Sequence, residues 1–585
     1  MSSGPSKAAS GWFSGGDVPW AGLTRVVLLV TAVLVYVRLF LGVDVTDESF
    51  YNSLPYSFGL GFRPYRDELN ITQNAGILLT PLFKLHHALV GSSFGLVLFN
   101  RHLYFLLLAG CSQLAFRWGT VRVGRNFGRL LAAFVLTFSY CNIPSLSYNT
   151  LGALFLFGGL LQLLLGSTPG GQARRPRLIF GANCCFILSA FAYPTLLFSS
   201  LAGFGASLWL AVQPTPAPAP GRSRPDLLAW GASLALGVAG ALVFLASVGL
   251  DGIRDSLAYA SSYAYDLRAS APRTARLVLG QLQHLRLYFA GFALLLALPI
   301  LPAGSFRHYG KAFFCAVLAA AAFILYLIHR QPSLAAYPAG SAPLFLCLGL
   351  LLPLVLWLLP DRRLARELGV VVLLPSLVAA AAIALSSTGG LPAAILGLFP
   401  AAACALLGVA LVAGAIDRNA ASNGVRVASV LGLMVPLLAF QIQCLLERSY
   451  RDTPFVPGAT FASGPFAGLL TTDPNARRLA ALAADLNSLG ADTRTLFIYD
   501  RFPAGYLLSP LKPRTFSTWV FWPDDPAVGA RLLGRVFASA EAPPDAILQI
   551  GPRPAWVDAE VRRRKYRVHL ERPEFDYVLL LRERN

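Results

Sequence analysis

The segment 44–51, with the sequence DVTDESFY, places three carboxylates just after the first long apolar run of the chain. An acid beside a membrane span costs desolvation free energy unless it is solvated or used. One interpretation is structural, because Thr46 or Asp47 can cap a helix whose positive end favours acids. The other is chemical, because carboxylates are among the side chains that carry out general acid–base catalysis.

The composition shows what must position these acids. The chain has 585 residues, of which 55% are hydrophobic and only 13% are charged. A soluble domain has roughly a quarter charged residues, and a bilayer-spanning helix needs roughly 20 apolar residues. The sequence therefore predicts a polytopic α-helical membrane protein with about thirteen transmembrane helices. The predicted spans are 25–42, 95–116, 129–141, 150–166, 179–193, 196–212, 227–249, 284–301, 312–328, 342–359, 368–386, 391–415 and 427–446.

Basic residues mark one side of these spans, which indicates that the net charge of +19 reflects topology and not binding to nucleic acid. Short basic loops between apolar spans are typical of the cytoplasmic side. The loops predicted there, each with Arg or Lys, are 117–129, 167–178, 213–226, 302–311, 360–367 and 416–426. The loops 43–94, 250–283 and 329–341 then lie outside, together with the C-terminal tail.

This assignment depends on Tyr193-Pro194-Thr195, which lies between two apolar runs. Proline removes a helix hydrogen bond, so the tripeptide is either a tight turn between two spans or a kink in one helix. A turn is predicted, because only then do the flanking basic loops fall on one side. With a kink, every later loop would change sides.

Three parts are predicted along the chain: a disordered cytoplasmic N-terminus at 1–24, a transmembrane module at 25–446 and a soluble extracytoplasmic domain at 447–585. The tail alternates helices and strands, which is typical of a small α/β domain. Its predicted elements are helices at 475–488 and 527–540, strands at 496–500 and 546–551, and a final pair of strands in the sequences YRVHLE and YVLLLRE.

The acid pair Asp47-Glu48, followed by aromatic residues directly after the first span, resembles the GT-C glycosyltransferases. These membrane enzymes take a sugar from a polyprenyl-phosphate carrier. The similarity is to the branch of protein O-mannosyltransferases and lipid A aminoarabinose transferases, and it extends over most of the chain. The other matching parts, in order, are an amphipathic segment at 76–91, Asn100-Arg101 at the start of the next span, Tyr337-Pro338 before a later span, and a small domain after the last span.

The resemblance implies a GT-C-like fold for the transmembrane module and a catalytic role for Asp47. In such enzymes the acid takes a proton from the acceptor hydroxyl as that hydroxyl attacks the anomeric carbon, which a carboxylate within hydrogen-bond reach can do. The leaving group is already a phosphate, so less acid assistance is needed than in a glycosidase. A single displacement would invert the anomeric centre. Glu48 would orient the acceptor or share the role of base, and the sequence does not separate the two.

Two positions depart from the family's pattern. The aminoarabinose-transferase branch has Lys-Pro-Pro where this chain has Thr72-Gln73-Asn74, so the phosphate-binding lysine is absent. Many members also have a second acid before the fourth span, where this chain has Asn149. Asparagine can hydrogen-bond a sugar hydroxyl but carries no charge. These differences leave the subfamily open. No metal ligands or cofactor are indicated, although a divalent ion is compatible with the sequence.

Cations outside the membrane would stabilise a leaving polyprenyl phosphate, and the forked guanidinium of Arg can bind two phosphate oxygens. Any one of these residues could instead contact lipid headgroups. As a group they run against the positive-inside trend and indicate an anionic ligand. The predicted substrate-binding residues are Tyr51, Arg63, Arg66, Asn149, Tyr263, Arg268, Arg273, His329, Arg330 and Tyr337.

The sequence thus predicts a multi-pass glycosyltransferase of the inner or plasma membrane, with its active site outside the cytoplasm. Its partners would be a lipid-linked sugar donor, membrane lipids and a glycan, lipid or protein acceptor, with no nucleic acid. One alternative is a flippase or transporter of lipid-linked sugars, but such proteins carry intramembrane acids and internal repeats that are scarcely visible here. Another is a surface-glycan polymerase or ligase that relies on His329 and Arg330.

Overall fold

The structure is a computed structural model. It describes residues 18–213, 223–263, 276, 279–280, 283, 342–386, 391–416, 434–435, 437–446, 452, 460–522, 526–538, 543–551 and 555–583.

The described helices before the C-terminal domain form two groups. The first group is α1 (Val18–Arg38), α2 (Asp47–Gly59), α3 (Asn74–Val90), α4 (Leu96–Arg122), α5 (Arg125–Leu136), α6 (Tyr148–Gly166), α7 (Arg175–Ala192), α8 (Leu197–Val212), α9 (Ser223–Val248) and α10 (Leu250–Tyr263). The second group is α11 (Ala342–Leu358), α12 (Arg362–Leu368), α13 (Leu374–Ser386), α14 (Ile395–Ile416) and α15 (Leu437–Leu446).

Six stretches of the described helices are at least 18 residues long and apolar enough to cross a bilayer, so this is a multi-pass membrane protein. They are Ala21–Arg38, Tyr148–Gly166, Pro194–Val212, Pro225–Val248, Arg362–Ser386 and Pro392–Leu411. The predicted spans 284–301 and 312–328 lie outside the described residues. The total of thirteen spans therefore stays a prediction.

The predicted turn at Tyr193 is confirmed. Tyr193 has an extended backbone conformation between α7 and α8, with φ −133° and ψ 91°. The rings of Phe186 on α7 and Phe204 on α8 lie 6.1 Å apart, whereas one continuous helix would separate these positions by about 27 Å. Gly203 permits the contact, because an added Cβ would lie 2.8 Å from the Phe186 ring. The two helices form an antiparallel hairpin.

Four of the predicted basic loops meet at one face of the bundle. Arg122 donates to Ser167 at 3.2 Å and to Glu367 at 2.9 Å, which joins the loops after α4, α6 and α11. Arg175 pairs with Asp226 at 3.3 Å and brings in the start of α9. These contacts agree with loops that lie on the same side of a membrane.

Two predicted boundaries were wrong. Helix α1 already begins at Val18, within the segment predicted to be disordered, and ends at Arg38. The predicted span 129–141 is helical only over Arg125–Leu136, which is about 18 Å long and too short to cross the bilayer core. The chain continues without regular structure through 137–147, and nearly all of this segment is buried inside the protein. Irregular backbone at membrane depth is tolerated in such a position.

The C-terminal domain is a small α/β domain, as the alternating pattern predicted, and it contains a mixed five-stranded sheet. Its described strands are β1 (Thr460–Phe461), β2 (Leu470–Thr471), β3 (Thr495–Ile498), β4 (Lys512–Pro513), β5 (Ala546–Ile550), β6 (Tyr566–Arg572) and β7 (Tyr577–Arg582). Its described helices are α16 (Asp473–Asn487), α17 (Ala504–Leu508), α18 (Pro526–Ala538) and α19 (Ala555–Arg563). The sheet order is β4-β3-β5-β7-β6, with β3 parallel to both neighbours and β6 and β7 antiparallel.

The domain contacts the segment that follows α1. Leu470 in β2 accepts from the Gly42 N–H at 2.8 Å and donates to the Phe40 carbonyl at 2.8 Å. Tyr259 on α10 packs its ring 5.3 Å from that of Phe516 in the domain. The segment 39–69, helix α10 and the C-terminal domain therefore lie at the same end of the bundle, as the predicted topology requires.

Candidate active site

A buried ion pair fixes the start of α2. Glu48 and Arg101 are 1% and 2% exposed, and the guanidinium binds both carboxylate oxygens, at 2.7 Å and 2.6 Å. The same guanidinium donates to the backbone carbonyls of Leu39, Leu41 and Gly42. Removing one member of such a pair leaves a buried charge uncompensated, which costs about 3–5 kcal/mol. The pair joins α2 to α4 and to the end of α1.

Glu48 has a further donor in Ser145, whose hydroxyl binds Oε1. Asn100, beside Arg101, donates to the Leu146 carbonyl at 3.2 Å and holds the same segment in place. With both of its oxygens bound by buried donors, Glu48 is poorly suited to accept a proton from a substrate. This geometry favours a positioning role for Glu48 and does not favour its predicted share in the base function.

Asp44 caps α2 from outside the helix. One oxygen accepts from the Thr46 N–H and hydroxyl at 2.9 Å and 2.7 Å, and the other accepts from the Glu48 N–H at 2.8 Å. Burial and the neighbouring Asp47 carboxylate raise the pKa of Asp44 to about 7, although these hydrogen bonds oppose the shift. Near neutral pH, Asp44 is therefore present in both its protonated and its ionised form while it caps the helix.

Asp47 is more exposed than the other two acids. It is partly exposed at the first position of α2, whereas Asp44 is 4% exposed and Glu48 1%. The Thr46 hydroxyl lies 3.2 Å from Oδ2. Tyr51, one helical turn further along, shares this face of the helix. Burial raises the pKa of Tyr51, and the negative charge of Asp47 adds to the shift. Asp47 is thus the carboxylate that a ligand could approach.

Tyrosine rings form a wall beside this face of α2. Tyr51 packs edge-on against Tyr148 at 5.8 Å, and Tyr148 packs against Tyr193 at 5.1 Å. Tyr193 belongs to the turn between α7 and α8, and Tyr148 begins α6. Ligand sites are typically lined by aromatic side chains with a few placed polar groups, and this combination fits that description.

The irregular segment 137–147 passes beneath α2 in a strained conformation. Cys141 and Asn142 have φ angles of 51° and 58°, a region that residues other than glycine adopt rarely. Arg38 donates to the Asn142 carbonyl at 2.6 Å, and the Asn142 side chain donates to the Cys444 carbonyl at 2.9 Å. Such strain persists when the surroundings hold it in place, and it is concentrated at functional sites.

The structure does not bring all of the predicted substrate-binding residues together. Arg63 and Arg66 lie beyond the far end of α2, which is about 20 Å long by its helical rise. Asn149 is buried in the first turn of α6. Tyr263 ends α10, and its side chain is outside the described part. The remaining predicted residues, Arg268, Arg273, His329, Arg330 and Tyr337, lie outside the described residues.

Sequence reasoning missed the roles of Arg101 and the tyrosine wall. An arginine near the start of an apolar helix is expensive unless it is paired, so Arg101 could have been matched to the acids of the preceding loop. The sequence did not mark Tyr148 and Tyr193 as binding residues, because tyrosine is common at membrane interfaces whatever its function. Within the described ranges, no group of three His, Cys, Asp or Glu side chains is placed to hold a metal ion.

Comparison with known proteins finds similarity to solved structures at low sequence identity. No protein-family model and no curated protein matches the sequence. ArnT from Cupriavidus metallidurans bound to undecaprenyl phosphate matches 97% of this chain and 98% of its own, with 16% identity and a TM-score of 0.40. The apo state of ArnT matches 96% and 98%, with 13% identity and a TM-score of 0.46.

A third solved structure is the oligosaccharyltransferase from Archaeoglobus fulgidus in complex with Zn and sulfate. It matches over 90% of this chain and 68% of its own, with 11% identity and a TM-score of 0.35. With TM-scores below 0.5, the matches transfer no residue role to this chain.

Proposed function

We propose that this protein is a membrane glycosyltransferase that moves a sugar from a polyprenyl-phosphate carrier to an acceptor hydroxyl, with Asp47 as the base. The site would face the extracytoplasmic side of the inner or plasma membrane. The observation that carries the proposal is the division of tasks among three neighbouring acids. Glu48 is held by Arg101 and Asp44 caps α2, while Asp47 is the more exposed carboxylate at the tyrosine wall.

The reaction would be a single displacement. The acceptor oxygen forms a bond to the anomeric carbon as its proton passes to Asp47. The bond between the anomeric carbon and the phosphate oxygen breaks, and its electron pair leaves with the polyprenyl phosphate. The configuration at the anomeric carbon is inverted. A carboxylate in this role typically contributes about 10²–10⁴-fold to the rate.

The sugar would lie against the tyrosine wall. The rings of Tyr51, Tyr148 and Tyr193 present apolar surface next to a carboxylate, which suits a ligand with alternating apolar and hydroxyl faces. The donor's lipid tail would remain in the bilayer, and the acceptor would arrive from the side of the C-terminal domain.

The test is the variant Asp47→Asn in a purified transfer assay with a polyprenyl-phosphate sugar. We expect at least a 100-fold loss of transfer, because the amide cannot accept the proton. The melting temperature should stay close to that of the wild type, since Asp47 is partly exposed. Asp251→Asn, an exposed acid at the start of α10, is the matched control and should retain full activity. Full activity in Asp47→Asn would refute the assignment.

A further inference from the structure

A second candidate site lies between the far end of α2 and the C-terminal domain. It is a cavity of about 660 Å³, bounded on one side by the end of α2 and the segment that follows it, and on the other by β4, α18 and neighbouring residues of the C-terminal domain. Ser57 and Phe62 belong to the first wall, and Lys512, Phe516 and Val536 belong to the second. This volume is in the range of cavities that hold small molecules.

The lining of the cavity is strongly basic. Its charged side chains are those of Arg63, Arg66, Asp67, Lys512, Arg514 and Arg535. Asp67 is bound to Arg63 by two hydrogen bonds of 2.8 Å, and Arg535 pairs with Asp255 at 3.0 Å outside the cavity. Even with Asp255 included, basic residues exceed acidic ones by three. A concave surface with one sign of charge concentrates its field and attracts oppositely charged ligands.

Hydrogen bonds between its two walls hold the cavity open in a defined shape. The Leu69 N–H donates to the Phe516 carbonyl at 2.8 Å, directly at the lining. The buried Glu68 carboxylate accepts from the N–H and hydroxyl of Thr518 at 2.7 Å and 2.8 Å. The backbone of Arg514 is itself held in place, because its N–H donates to the Leu496 carbonyl in β3 at 2.8 Å. The basic side chains therefore project from a connected framework.

The cavity is too far from Asp47 to hold the phosphate that leaves the anomeric carbon. Ser57 is ten residues along α2 from Asp47, which corresponds to about 15 Å of helix. An anion in the cavity would belong to a part of a substrate that extends well beyond the reacting atoms. A distance of this size is spanned by several linked sugar units.

We propose that the cavity binds a phosphate or carboxylate group of the acceptor, so that the acceptor is an anionic glycan or glycolipid. Its reacting hydroxyl would lie at Asp47 while its anionic group is held by Arg66, Lys512 and Arg514. The assignment of this anion to the acceptor rests on the proposed transferase function. The inference that the cavity binds an anion is independent of that function, because it follows from the cavity's charge and shape.

Calorimetric titration of the detergent-solubilised protein with pyrophosphate tests the site directly. Arg66 and Lys512 are exposed, so the double variant Arg66→Gln/Lys512→Gln should fold normally. We expect it to bind pyrophosphate at least about tenfold more weakly than the wild type, since charge-assisted hydrogen bonds are lost. Wild-type binding should also weaken with added salt. Arg567→Gln, an exposed arginine on β6, is the control and should bind as the wild type does.

Two outcomes would overturn the proposal. One is that the wild type and the double variant bind pyrophosphate equally or not at all. The other is that the double variant loses binding of undecaprenyl phosphate in mixed micelles, which would assign the cavity to the donor. Asp47→Asn should bind pyrophosphate normally, so a failure of the transferase assignment would leave this measurement unaffected.

Discussion

At the scale of single residues, three acids within one short segment differ because their surroundings differ. Glu48 faces a buried guanidinium and stays an ion-pair partner. Asp44 is buried too, but its hydrogen-bond donors are neutral: two backbone N–H groups and the Thr46 hydroxyl. Asp47 is the partly exposed member of the three and lies next to the Thr46 hydroxyl. Environments that separate neighbouring carboxylates in this way are how a protein assigns acid and base roles at neutral pH.

The raised pKa of Asp44 predicts a pH-dependent stability. Between about pH 4 and pH 7 the folded protein holds a proton on Asp44 that the unfolded chain has released. This contribution to stability is fully present below about pH 4 and is lost as the pH rises through about 7. Between about pH 5 and pH 8, the melting temperature of the wild type should therefore fall relative to that of Asp44→Asn, which has no carboxyl at this position.

The control for this measurement is Asp251→Asn, which should keep the pH dependence of the wild type because its carboxyl is exposed. The interpretation would be wrong if Asp44→Asn and the wild type changed in parallel with pH.

At the scale of elements, the close packing of α4 and α5 determines where the active-site segment begins. Gly128 on α5 faces α4 so closely that an added Cβ would lie 2.4 Å from the Thr120 hydroxyl and 2.7 Å from the Phe116 carbonyl. Small residues let helices in membranes approach in this way. The spacing matters because α4 carries Arg101 and α5 leads into the segment with Ser145.

Gly128→Ala should therefore destabilise the protein by about 1–3 kcal/mol, because the methyl group meets backbone that cannot move aside. Gly110→Ala, on the same pair of helices, is the matched control, because its added Cβ meets nothing within 4 Å. It should be neutral or slightly stabilising, since Ala favours helix more than Gly. Equal melting temperatures for the two variants in detergent would contradict this account of the interface.

At the scale of the whole molecule, the C-terminal domain is joined to the membrane bundle by buried polar contacts. Glu68 is fully buried, burial raises its pKa, and it bonds to Thr518 in the domain. Tyr259 on α10 accepts from the Phe521 N–H at 2.9 Å. The domain is therefore packed firmly against the membrane bundle and closes one side of the basic cavity.

Replacing Glu68 with Gln should loosen this attachment, because the amide places N–H groups against donors from the domain. Hydrogen exchange in 515–520 should become faster, while exchange in α6 should stay unchanged. Glu571→Gln, an exposed acid on β6, should leave both rates as in the wild type. Unchanged exchange in 515–520 of the Glu68 variant would show that other contacts hold the domain.

Local patterns predicted much of this architecture. The Tyr193 turn followed from the side on which basic loops fall, and the final strand pair of the domain was predicted from the sequences YRVHLE and YVLLLRE. The Glu48–Arg101 pair was not predicted, because its members are 53 positions apart. The basic cavity was beyond reach for the same reason, since Leu69 and Phe516, which are hydrogen-bonded across its lining, are far apart in the sequence. Contacts of this kind arise from packing and leave no periodic signal.

The short segment 40–42 has a mechanical consequence. It is bonded to Arg101 on one side and to strand β2 on the other, and Gly42 adopts a left-handed conformation with φ 77°. The membrane bundle, the C-terminal domain and the start of α2 are therefore joined at one point, the segment 40–42. A tilt of the domain would drag α2 with it and displace Asp47. While these bonds hold, the start of α2, and Asp47 with it, keeps a fixed position relative to strand β2.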